Sequence, residues 1–334
     1  MIATLPALPL VTAQERAAIL SSPRTAAGHR ALMQAIPAMN AVQCGGTASA
    51  ASLPDTLSVA AWNVERCLFP QASADLLRPY APDIVLLSEV DHGMARTSQR
   101  HTTADMAGAL GMTYAFGVEF HELDLGGPTE RHFCTDDFNA CGWHGNAILS
   151  RVPFERVTLV RLDDHGHWFA SDERDADPNQ PRVGGRMALL AIVPTAKGAV
   201  CAVSTHLESN ANGAHRAQQF DLLMDAIDAF APGLPVVIGG DLNTGNHMPP
   251  DFDWRAEPLF ERAVSRGYDW SATPDGLTTR ASLITPHPDR QMKLDWFALR
   301  GAVPLETALI PAQDQAGRPL SDHDAVWCRL KTQG

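Results

Sequence analysis

The sequence predicts a mixed α/β protein. Short β-rich runs recur from residue 57 onward, helical patterns separate some of them, and others follow one another directly. Strict alternation of strand and helix would have indicated a purely doubly-wound sheet, and this chain does not show it. A length of 334 residues with 45% hydrophobic and 19% charged residues is ordinary for a globular chain and provides for a sizeable core.

Taken in chain order, Thr12 and Glu15 have capping-box spacing, and Ser22-Pro23 pairs an N-cap residue with a proline suited to a first helical turn. Residues 13–36 are therefore expected to form two short helices. Residues 40–55, "NAVQCGGTASAASLPD", are small and flexible in composition, so 1–54 is expected to be a helical extension with a linker, ahead of the main domain at 55–334. Strands are expected at 57–62, 83–89, 146–151, 156–162, 187–194, 199–206, 235–241, 294–301 and 325–330. Helices are expected at 71–79, 103–110 and 215–230, the last because Phe220, Leu223, Met224 and Ile227 recur at helical spacing. Residues 119–145 and 164–185 read as long polar insertions, and loops of that length in a compact domain are more often functional than accidental.

The formal charge of -12, with no run of lysine and arginine longer than a pair, argues against a broad basic face for nucleic acid. It leaves room for a nuclease whose metal ions neutralise phosphate locally. The N-terminus has no basic leader region, and no apolar stretch is long enough to span a membrane, so a cytoplasmic location is expected. Six dispersed cysteines fit mostly reduced thiols, with Cys134 and Cys141 the exception in which a disulfide is an alternative.

Chemistry gathers at the strand ends. Asn63 and Glu65 follow "AAW", Glu89 follows "VLLS", His206 follows "AVST", and Asp241 and Asn243 stand in "VIGGDLN". Asp295 opens "DWF", and Asp322 and His323 precede the last strand in "SDHDAV". A lone Asp or Asn at such a place is usually a turn or cap. A repeated set of carboxylates, amides and histidines with almost no lysine is harder to read as independent turns. Carboxylate and amide oxygens are hard ligands suited to Mg²⁺, Mn²⁺ or Ca²⁺. Histidine beside aspartate keeps its tautomer and proton, and both Asn and His donate to anionic oxygens. These are the parts needed to hydrolyse a phosphoester: a metal, a base for water, and donors for the developing charge.

The ordered motifs "WNVE", "LLSEV", "GNAILSR", "STHLES", "GGDLN", "LDWFALRG" and "SDHDAV" resemble those of the metal-dependent endonuclease/exonuclease/phosphatase superfamily over about residues 57–330. The resemblance implies a four-layer sandwich, two packed mixed β-sheets flanked by helices, with the site in a cleft at one end of the sheets. It also implies a divalent metal, Mg²⁺ or Mn²⁺ with Ca²⁺ as an alternative, held by Glu89 with Asn63 beside it and Asp322 as a further ligand. Asp241 would position or deprotonate the attacking water, Asn243 would hold that water or a phosphate oxygen, and His206 would donate to the phosphate. His323 would act at the scissile phosphate, oriented by Asp295. Glu65 is a candidate for a second metal. Asn146 is either an active-site residue or a turn before a strand, Arg186 either meets phosphate or pairs with the acidic loop before it, and His144 is placed to reach the cleft.

The implied substrate is a phosphoester. Nucleic acid is one alternative, and a small or lipid-linked phosphoester is the other, favoured by the composition; a binding protein that kept the fold without catalysis is a third reading.

Two segments imitate metal loops. His132, Cys134, Cys141 and His144 lie within 13 residues but match no zinc spacing. Asp175, Asp177 and Asn179 begin like a calcium loop that lacks the sixth-position glycine and ends on Arg186 instead of glutamate.

Overall fold

The computed structural model describes residues 2–171, 181–248, 252–289 and 291–333. Strand β1 (Ala3–Leu5) is followed by helices α1 (Ala13–Leu20) and α2 (Ala26–Ala35), then β2 (Ala41–Gly46), β3 (Thr56–Arg66), α3 (Pro70–Leu77), β4 (Ile84–His92) and α4 (Thr102–Leu110). Next come β5 (Thr113–Glu122), the one-turn α5 (Pro128–Arg131), β6 (Trp143–Ser150), β7 (Arg156–Arg161), β8 (Arg182–Gly184), β9 (Met187–Thr195) and β10 (Gly198–His206). The chain finishes with α6 (Gly213–Phe230), β11 (Val236–Asp241), α7 (Leu259–Ser265), β12 (Asp295–Arg300), β13 (Ala302–Ile310) and β14 (Ala325–Thr332).

These strands form two mixed sheets. The larger, of nine strands, runs β1-β2-β5-β6-β4-β3-β14-β13 with β8 added alongside β5, and the smaller runs β12-β11-β10-β9-β7. Pairs β1/β2, β3/β4 and β10/β11 are parallel and the remaining pairs are antiparallel, which is why the sequence alternates strand and helix only in part.

Both faces of the central strands are apolar, for a reason visible in their period of two. Leu57, Val59 and Ala61 of β3 and Leu86 of β4 face Ala202, Val237 and Phe297 in the core between the sheets. Ala60, Trp62, Val85 and Leu87 point the other way, into a second core shared with α2 and α4. Val203 and Ile238 of the small sheet pack against Phe220, Leu223 and Ile227 of α6. Two sheets face to face with helices outside are thus the layers that this patterning requires.

Gly239 is fixed by this packing: a Cβ there would lie 2.7 Å from Leu86, 2.8 Å from Ala61 and 2.9 Å from Phe297. At Gly240 a Cβ would meet the Thr205 carbonyl oxygen at 1.9 Å, so these glycines serve sheet packing and strand pairing.

All nine expected strands and the three expected helices of the main body are present. The N-terminal expectation needs correction. Thr12 and Glu15 do form a capping box, with Glu15 N–H donating to Thr12 Oγ1 at 3.2 Å and Thr12 N–H donating to Glu15 Oε2 at 2.7 Å. The second helix, however, is capped by Thr25, whose Oγ1 accepts from Gly28 N–H at 3.1 Å. Residues 41–46, expected within a linker, form β2, which pairs in parallel with β1 and antiparallel with β5. Their small side chains signalled flexibility, but two neighbouring strands satisfy the backbone. The 119–145 stretch is not wholly irregular either, since β5 extends through Glu122 and β6 begins at Trp143.

Candidate active site

Three adjacent strands of the small sheet bring their chemistry together by register. Asp241 at the end of β11 pairs with His206 of β10 on one side and with Asp295 of β12 on the other. The facing sheet supplies Asn63 and Glu89 from neighbouring strands. Each of those strands is bulged at this point, between Asn63 and Arg66 in β3 and between Leu87 and Val90 in β4. The bulges carry left-handed backbone at Glu65 (φ 41°), Arg66 (φ 74°), Cys67 (φ 59°) and Glu89 (φ 57°). Non-glycine residues held there cost of order 1–3 kcal/mol each, and bulges of this kind re-aim side chains.

Asp241 is the hub. Its Oδ2 accepts from Asn63 Nδ2 at 3.1 Å, and its Oδ1 accepts from the Asn243 backbone N–H at 2.8 Å. Asn63 Nδ2 also donates to Glu89 Oε1 at 3.0 Å, so one carboxamide links the two sheets. Nε2 of His206 and Nε2 of His323 both lie 3.6 Å from Asp241 Oδ2. Burial raises the Asp241 pKa, but His323 and His206 outweigh it and hold the carboxyl below its ordinary value. His323 Nδ1 donates to Asp295 Oδ2 at 2.8 Å. Burial works against the charged imidazole, yet Asp295, Asp241 and Asp322 together raise its pKa to about 10. On the other side, Arg186 Nη1 sits 2.9 Å from His206 Nδ1.

An acidic wall faces this hub. Glu65, Glu89 and Asp322 line a cavity of about 250 Å³ together with Asp241, His206 and His323. Burial and then the charge of Asp322 push the Glu65 carboxyl up to about 7, while Ser282 and Thr285 donate to its Oε1 at 2.6 and 2.8 Å. Glu65, Glu89 and Asp322 are hard oxygen donors, Asn63 Oδ1 keeps a lone pair beyond the one that accepts from Glu65 N–H, and a divalent cation would relieve the repulsion between Asp322 and Glu65, so these residues fit such an ion. Asp241, Asp295 and His323 also bring potential ligand atoms within 4.8 Å of one another. That trio is a poorer cation site, because His323 is held protonated and its Nδ1 is already donating to Asp295.

The remaining expected residues divide. Arg186 and His144 line the cleft. Arg186 pairs with Glu119 at 2.8 Å and Glu208 at 3.2 Å, and the acidic stretch before it lies outside the described residues. His144 Nδ1 lies 2.9 Å from Asp91 Oδ1. Asn146 is instead fully buried between the sheets, where its Nδ2 donates to the Met187 carbonyl at 3.0 Å. Asn243 lines the cleft, but its Nδ2 donates to the Leu207 carbonyl at 3.1 Å, so its backbone N–H is what steadies Asp241. The six cysteines are free, including Cys134 and Cys141. The calcium-like stretch Asp175, Asp177 and Asn179 lies outside the described residues.

Sequence reasoning missed several cleft residues. Arg66 pairs with Glu89 and, at 2.9 Å, with Glu130. Phe120, Trp168, Arg182 and Ser209 line the cavity rim. The strand itself was detectable, since "TYAFGV" alternates Tyr114, Phe116 and Val118, but the bulge between Val118 and Phe120 that turns Phe120 to the cleft leaves no such signal.

Fold and site together define a two-sheet α/β sandwich with a cleft in which a carboxylate, two histidines and an acidic wall meet at the strand ends. Residues 60–323 match the Endonuclease/Exonuclease/phosphatase family, and the chain belongs to that family. It is 26% identical over 182 residues to the uncharacterised protein YbhP of Escherichia coli (strain K12), a match covering 54% of this chain and 60% of that one. The match thus spans less than two thirds of that relative's length. Among solved structures, the endonuclease/exonuclease/phosphatase from Beutenbergia cavernae DSM 12333 superposes with a TM-score of 0.57 at 19% identity, covering 84% of this chain and 72% of that one. The human Nocturnin catalytic domain with bound sulfate superposes with a TM-score of 0.54 at 16% identity, covering 87% and 97%. These likenesses are of fold. Among the described residues no helix is long and apolar enough to cross a membrane.

Proposed function

We propose that this chain is a divalent-metal-dependent hydrolase of phosphoester bonds that works by direct attack of water. The observation that carries the reading is Asp241, ionised and buried between two imidazoles, with His323 in turn held by Asp295. Mg²⁺ or Mn²⁺, held by Glu89 with Asn63 and Asp322, would supply positive charge to the phosphoryl oxygens. Asp241 accepts the proton of the attacking water, and the backbone N–H of Asn243 and the amide of Asn63 fix its two oxygens. His323 presents Nε2–H toward the phosphoryl group as the acid, and His206, braced by Arg186, donates to a second oxygen. Glu65 is a candidate for a second cation site.

A small or otherwise non-polymeric phosphoester is the favoured substrate. The cavity measures about 250 Å³, and the net charge is -12, a combination unsuited to tracking a polyanionic strand. Initial rates on bis(p-nitrophenyl) phosphate, p-nitrophenyl phosphate and supercoiled plasmid, each with Mg²⁺ or Mn²⁺, test the reading. Turnover of a small ester well above plasmid nicking is expected. Plasmid cleavage alone would replace this substrate class with nucleic acid, and inactivity on all three would remove the hydrolytic reading.

A further inference from the structure

We infer that the N-terminal segment braces the mouth of the substrate cleft from behind, and that His29 of α2 is the positioning residue that fixes the loop bearing Trp168 against β8, which carries Arg182 and leads to Arg186. The inference rests on reading the cleft as the substrate site.

His29 is fully buried and uses both ring nitrogens. The Gly184 N–H donates to Nε2 at 3.0 Å, so Nε2 is the acceptor and the proton sits on Nδ1, which donates to the Asp164 carbonyl at 3.0 Å. A neutral imidazole is the one side-chain ring that offers a donor and an acceptor on separate edges. Burial lowers the His29 pKa, keeping it neutral despite the nearby Asp163 and Asp164.

The loop is shaped around this ring. Gly166 has φ 78°, and a Cβ there would fall 2.5 Å from His29 Cγ. Phe169 packs 5.8 Å from the imidazole, and Arg24 lies 4.4 Å over the Phe169 ring while its carbonyl accepts from Ser171 N–H at 2.9 Å. From the opposite side, Asp163 meets His215 of α6 at 3.1 Å, and Trp168 Nε1 donates to Glu208 at 3.2 Å. Trp168 and Arg182 then stand together at the cavity rim, with the guanidinium 5.5 Å from the indole ring. His29 touches neither the substrate cavity nor the Asp241 hub, yet it joins the two segments that shape the cavity mouth.

The test is His29→Ala, read by amide hydrogen exchange over 163–171 and 182–186 and by steady-state kinetics on bis(p-nitrophenyl) phosphate with Mn²⁺. Exchange is expected to quicken in those two segments while the sheets keep their protection. KM should rise about tenfold, the scale of one or two net hydrogen bonds, with kcat changing much less. His29→Gln should restore protection near Gly184, and His29→Asn should restore it near Asp164. If His29→Ala does not fold, these two variants carry the same readouts. Unchanged exchange and KM in a folded variant, or a uniform loss of protection across the chain, would overturn the inference. Exchange reads His29 whether or not the wild type hydrolyses the ester, so failure of the hydrolytic reading is distinguishable from failure of this one.

Discussion

His323 donates through Nδ1 to Asp295 Oδ2 at 2.8 Å while its Nε2 stands 3.6 Å from Asp241 Oδ2. One imidazole thus has a carboxylate at each edge, which is why its pKa is raised to about 10 against the cost of burial. Replacing Asp295 with Asn removes the charge but keeps the shape. It should lower kcat by about 10²–10⁴-fold, the range for losing a positioned acid or base, and move the alkaline limb of the pH–rate profile to lower pH. A profile whose alkaline limb does not move would separate His323 from that limb.

The same shift predicts a stability trend. The folded pKa of His323 lies above the ordinary value of 6.5, so its contribution is fully present below about pH 6.5 and is lost as pH rises through about 10. Urea unfolding from pH 6.5 to 10 should show a decline that His323→Gln flattens.

A second histidine pair has the opposite sign. His92 and His101 stack with centroids 3.9 Å apart, half-buried beside Phe116, and burial lowers their pKa values to about 4 and about 3. The unfolded chain binds these protons first, so the stability they confer is present above pH 6.5 and is lost as pH falls through about 4 and about 3. His101→Phe, which keeps an aromatic ring beside Tyr114 and Phe116, should flatten the acid limb of a denaturation series.

Gly239 offers a packing test. Leu86, Ala61 and Phe297 would all stand within 3 Å of a Cβ at this position, so Gly239→Ala should cost about 1–3 kcal/mol in chemical denaturation. A neutral result would mean that the two sheets separate here without penalty.

Much of this was legible in the sequence because the site stands on strand ends. Asp241, His206 and Asp295 each close or open an apolar run, and register alone sets them side by side. The layers followed from strands apolar on both faces. The cleft rim was not legible, because it is assembled by long-range contacts: Arg66 reaches Glu130, Arg186 reaches Glu119 and Glu208, and His29 reaches Asp164 and Gly184. Elements toward the two ends of the large sheet were also hidden. β2 is built from small residues and glycine, and β13 carries Pro304 at a register shift, which an edge strand tolerates. Asn146 shows the limit of position-by-position reasoning, since a strand residue's face is decided by register, and here that face meets Met187.

Removal of divalent metal and of Asp241 tests the proposed hydrolytic centre most directly. Rates on bis(p-nitrophenyl) phosphate should vanish with EDTA, return with Mg²⁺ or Mn²⁺, and fall by at least about 10²-fold in Asp241→Ala at saturating metal. Turnover that persists in EDTA, or a folded Asp241→Ala variant as active as the wild type, would contradict it.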